Sequence, residues 1–65
     1  MGLNERQIRA INYVNEKGRI TNKGYQSLNN CPRNTAFNDL SDLTKRKILK
    51  DSGKNGKGIL YVIEQ

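Results

Sequence analysis

The stretch TNKGYQSLNNCPRNTAFNDLSDLTKR, residues 21–46, decides the fold. Thr21 is a good N-cap for a short helix over Asn22 to about Leu28, whose apolar contacts are Tyr25 and Leu28. Gly24 weakens that helix by roughly 1 kcal/mol relative to Ala, so it leans on tertiary packing. Asn29-Asn30-Cys31 reads as a turn, because Asn tolerates left-handed backbone angles. Pro32 fits the first turn of another helix, where its missing N–H costs nothing. That helix runs to about Lys45 or Arg46. Ala36, Leu40 and Leu43 stand at i, i+4 and i+7, a single buried stripe. Arg33, Asn34, Phe37, Asn38 and Ser41 project away from the stripe or along its flanks.

Upstream, the pattern predicts a helix from about Glu5 to Lys17. Asn4 caps it, and Gln7 can return a bond to the Asn4 backbone, a capping box. Leu3 and Ile8 have the spacing of a hydrophobic staple. Ile8, Ile11 and Val14 form the apolar stripe, with Ala10 and Tyr13 beside it. Lys17 suits the negative end of the helix dipole, and Gly18 can close the helix in a left-handed conformation. Arg19-Ile20 is an extended link, too short to be a strand unless it pairs elsewhere.

Downstream, Ile48-Leu49-Lys50-Asp51 is a strand, and residues 52–58 read as a glycine-rich turn. Ile59 to Ile63 is an apolar, β-branched strand. Such a hairpin is marginal alone and must pack on the helices. Both faces of its second strand are apolar, so periodicity leaves the buried face open. The expected core is Ile8, Ile11, Val14, Ile20, Tyr25, Leu28, Ala36, Leu40, Leu43, Leu49 and one alternate set from Ile59 to Ile63. Two helices about three residues apart have helix-turn-helix spacing. With the hairpin as a wing, the reading is an α+β winged helix-turn-helix: three helices and a two- or three-stranded β wing, one domain over residues 1–65.

Composition narrows the function. The 65 residues carry 12 Lys and Arg against 6 Asp and Glu, a net charge of +6. That excess favours a polyanionic partner, nucleic acid before an anionic membrane surface. One cysteine and no histidine exclude a zinc finger and an intrachain disulfide. Cys31 lacks the usual base of a thiol nucleophile. No apolar run approaches the ~18–20 residues that span a bilayer, and the N-terminus lacks a signal-peptide core. A reducing, cytoplasmic setting is the expectation, with no membrane partner, no cofactor and no enzyme activity. Gly53, Gly56 and Gly58 lead into a strand rather than a helix, unlike a phosphate-binding P-loop. Asp39 and Asp42 lack a third metal ligand, and Asp42 can pair with Lys45 or Arg46 along the helix.

The expected partner is double-stranded DNA. A helix about 10–12 Å across fits a major groove about 12 Å wide. Arg33 can read guanine, and Asn34 and Asn38 can pair with adenine. Phe37 sits at the edge of the buried stripe. It can touch a thymine methyl, pack on the wing or meet a partner protein. Lys45, Arg46, Lys47, Lys50, Lys54 and Lys57 concentrate positive charge at the helix end and hairpin, a pattern that suits phosphates. The alternative is a winged helix that binds protein through Phe37 and the sheet.

The stretches LNERQIRAINYVNEKGRITNKGY, NTAFNDLSDLTKRKIL and GKNGKGILYVI resemble the winged helix domains of DeoR-type regulators. They resemble more closely the C-terminal winged helix of RecG-related ATP-dependent DNA helicase proteins. The resemblance implies a module of a larger protein in transcription regulation or helicase-related work. A partner domain or a second copy is then expected from other parts of that protein. It implies that Arg33, Asn34, Phe37 and Asn38 point at the groove and that the Thr35 hydroxyl touches a phosphate. By the same token Lys54 and Lys57 lie on the wing tip. Where this family usually closes the third helix with Gly, this chain has Lys47, which implies strain or a different turn.

Overall fold

The computed structural model describes residues 2–55 and 58–64, with the side chains of Lys54 and Asn55 left aside. In order along the chain come α1 (Glu5–Lys17), α2 (Asn22–Asn29), α3 (Arg33–Lys45), β1 (Leu49–Asn55) and β2 (Gly58–Ile63). Three helices followed by a two-stranded antiparallel sheet make the α+β arrangement of a winged helix.

Local sequence accounts for the helix ends. The Gln7 N–H donates to the Asn4 side chain at 2.7 Å, and the Asn4 N–H donates to Gln7 Oε1 at 3.1 Å, so the capping box forms. Gly18 ends α1 at φ 99°. Thr21 Oγ1 accepts from the Gly24 N–H at 3.0 Å and opens α2. Asn30 closes α2 at φ 51°. Pro32 is the N-cap of α3 rather than its first helical residue, and no side chain caps that end. At the other end of α3, Lys47 takes φ 65°. The Ile48 N–H reaches Leu43 O and the Lys47 N–H reaches Thr44 O, both at 3.0 Å. This is a Schellman closure with lysine in glycine's place.

The buried face of α1 departs from expectation. Ile8 is 48 % exposed, and the inward residues are Gln7, Ala10 and Val14, with Ile11 only half buried. The helix is rotated by about one residue because Gln7 has partners inside. Its Nε2 donates to Asp39 O at 3.2 Å and to Asp42 Oδ2 at 2.9 Å. A polar residue with every bond made can take a core position. Leu3 packs on the core without Ile8, so the anticipated staple does not bury the latter.

The hairpin also differs. β1 continues through Ser52 to Asn55, where the glycine pattern predicts a turn. Gly53 spends its positive φ of 113° on a bulge instead, and its N–H donates to Asp51 Oδ1 at 2.7 Å. The register is Leu49↔Ile63 and Asp51↔Tyr61 before the bulge and Lys54↔Ile59 after it. The inward face of β2 is the odd set, with Tyr61 buried and Ile59 and Ile63 packed against the core. Ile20 exchanges two backbone bonds with Tyr61, at 3.0 and 2.9 Å, so the link after α1 pairs with β2.

The core gathers Ala10, Val14, Ile20, Tyr25, Ala36, Leu40, Leu43, Leu49 and Tyr61. Leu28 packs against it half buried. Among the described residues no helix is long and apolar enough to cross a membrane.

A candidate nucleic-acid interface on the third helix

The position of α3 is set by polar bonds on its inner side. Asp39 is 8 % exposed and lies where three elements meet. Its carboxylate accepts from Arg6 Nε at 2.7 Å, from the Tyr25 hydroxyl at 2.7 Å and from Asn4 Nδ2 at 3.3 Å. Burial pushes this carboxyl up, but the bonds from Arg6, Tyr25 and Asn4 outweigh it and hold it below its ordinary value. Burial, then the bond to Asp39, raises the Tyr25 phenol, which stays protonated and donating. Asp42 is also lowered, first by Gln7 and then by Arg46, whose Nε lies 2.8 Å from Oδ2. Neither the burial of Asp39 nor the inward turn of Gln7 is visible in a hydropathy pattern. The signal available was Asp39 within an otherwise apolar stripe.

The consequence lies on the other side of the helix. Both carboxylates of α3 are held by α1, α2 or Arg46. Arg33, Asn34 and Asn38 are exposed, and Phe37 is 55 % exposed. Thr35 and Ser41 are half buried on the flanks of α3. Lys45 and Arg46 are exposed at its end, Arg46 carrying its ion pair with Asp42. Lys57 and the side chain of Lys54 fall outside the described part, so their wing-tip role stays an expectation. The backbone of Lys54 is paired opposite Ile59 in β1.

A groove of about 500 Å³ opens between α2, α3 and the start of β2. Arg33 and Phe37 line it from α3, Asn22, Lys23 and Gln26 from α2, and Ile59 and Tyr61 from β2. A second depression, of about 300 Å³, is lined by Ser41, Thr44 and Lys45 of α3 and by Asp51 of β1, and shares Tyr61 with the first. Asn22 Nδ2 lies 3.5 Å from Arg33 O, and Asn22 Oδ1 accepts from Gln26 Nε2. The α2 contribution was missed on sequence. The preceding helix of a helix-turn-helix crosses the nucleic-acid backbone, and that geometry would have drawn attention to Lys23. No family model matches the chain, and no curated protein does.

Proposed function

We propose that this domain binds double-stranded DNA by inserting α3 into the major groove, with the wing on the adjacent backbone. The observation that carries this reading is that the carboxylates of α3 are engaged within the domain while base-reading side chains on it are exposed. Asp39 is buried and bonded, Asp42 is half exposed but paired with Gln7 and Arg46, and Arg33, Asn34 and Asn38 stand exposed. Guanidinium and amide groups are the ones that pair with base edges and phosphates. The net charge of +6 supports a polyanionic partner. The resemblance to DeoR-type and RecG-related winged helices supports a module of a regulator or helicase-related protein. On this reading the domain is a binding module that needs no cofactor.

Fluorescence anisotropy of a labelled duplex across a series of salt concentrations tests it. Contact with about four to six phosphates gives a log–log slope of affinity on salt of about −4 to −5. Binding that is flat in salt, or no binding at low salt, overturns the proposal.

A further inference from the structure

A thymine methyl in the major groove would occupy only part of the exposed Phe37 ring and leave the ring face without a partner. Bases in a duplex offer only their edges to the major groove. A benzyl ring left 55 % exposed gains most from the flat face of another ring. The groove beside it has what such a ring would need. Ile59 supplies an apolar wall across from α3, and Gln26 Oε1, whose amide nitrogen is bonded to Asn22, can accept from the polar edge of a base. Lys23 and Arg33, both exposed, are lining cations, and among the described residues no carboxylate lines the groove. At about 500 Å³ it falls within the range of small-molecule sites, about 300–1,000 Å³.

From this juxtaposition we infer that the groove seats one unpaired nucleotide of a DNA strand, its base stacked on Phe37 and its phosphate between Lys23 and Arg33. The preferred target is then a duplex that carries an unpaired base, at a bulge or at a junction with single strand. Apolar and aromatic side chains that sandwich an extruded base, with polar groups on its edge, are a general solution for holding a base out of the stack. The inference rests on the proposed DNA binding and names the substrate class of that same surface.

The test compares anisotropy titrations of three labelled probes: a blunt duplex, the same duplex with a single unpaired thymidine, and the same duplex with a single-stranded overhang. The protein should favour the two interrupted probes by about tenfold over the blunt one, within the range of one base stacked on one aromatic. Phe37→Ala should bring that ratio to about one, and Ile8→Ser, an exposed apolar residue outside the groove, should leave it at tenfold. Circular dichroism melts establish that both variants are folded. Equal affinity for all three probes overturns the inference and leaves duplex binding standing. Loss of ratio in both variants alike also overturns it. Binding of none of the three probes overturns the functional reading as well, and a Phe37-dependent complex with protein but not DNA assigns the groove to a protein partner. Free thymidine monophosphate competing at micromolar concentration overturns the DNA-strand assignment in favour of a free nucleotide.

Discussion

The Tyr25 hydroxyl donates to Asp39 Oδ2 at 2.7 Å, a bond that joins α2 to α3 inside the core. Tyr25 is fully buried, so its hydroxyl has no ready substitute partner in water. The same carboxylate holds Arg6 and Asn4 of the N-terminal region. One residue therefore sets the angle of the two helices and ties α1 across them.

Asp39→Ala should destabilise the domain by about 2–3 kcal/mol, because it strands the buried phenol and releases Arg6. Tyr25→Phe removes one donor and leaves Asp39 with Arg6, at a cost of about 1 kcal/mol. In a domain whose core supplies about 3–5 kcal/mol the first variant is close to unfolding at room temperature and the second is not. Urea denaturation of both distinguishes them, and equal effects would mean that Tyr25 carries the whole network.

The acid limb of stability follows from the same carboxylates. Asp39 and Asp42 are both held below the ordinary carboxylate value of 3.8. A depressed folded-state value favours the fold above the unfolded value, and that benefit is lost as pH falls through the depressed one. Thermal melts should thus be nearly constant from pH 7 to about pH 5 as far as these groups are concerned, and should drop below about pH 4. In Asp39→Asn the drop should be shallower. An unchanged acid limb in that variant would show that other groups set it.

Much of the fold was legible because it is written in local signals. The Asn4–Gln7 box, the Thr21 cap, the left-handed Gly18 and Asn30 and the Ala36-Leu40-Leu43 stripe all depend on residues within one or two turns. What was misread depends on distant partners. Gln7 displaces Ile8 from the core only because Asp39 and Asp42 stand opposite it. Gly53 reads as a turn by itself and becomes a bulge only because β2 is long enough to pair past it. On the candidate interface, Arg33, Asn34 and Asn38 were legible from helical periodicity. The α2 wall of the groove was not, since it arises from how two helices cross.

Backbone strain at the end of α3 offers a further check. Lys47 adopts φ 65°, a region that costs a non-glycine residue about 1–2 kcal/mol. Glycine relieves the clash and gives back part of the gain through its freer unfolded chain. Lys47→Gly should therefore raise stability by about 0.5–1 kcal/mol, an increase of about 2–8 °C in Tm. A lower Tm would show that the lysine side chain stabilises the closure more than its conformation costs.

Gly24 gives the complementary case. It is helical, and a Cβ there would meet Thr21 Oγ1 at 3.4 Å and Ile20 Cγ1 at 3.5 Å, ordinary contact distances. Gly24→Ala should stabilise α2 by about 0.5–1 kcal/mol. Calorimetry would read this as a higher Tm, and a fall would mean that the turn between Ile20 and α2 has no room to give.

The role of α3 is tested most directly by amide chemical-shift mapping during titration with a short duplex. The largest shifts are predicted at Arg33, Asn34 and Asn38, with the amides of α1 from Glu5 to Lys17 nearly still. Saturable duplex binding that moves α1 and leaves those three unchanged would contradict the account.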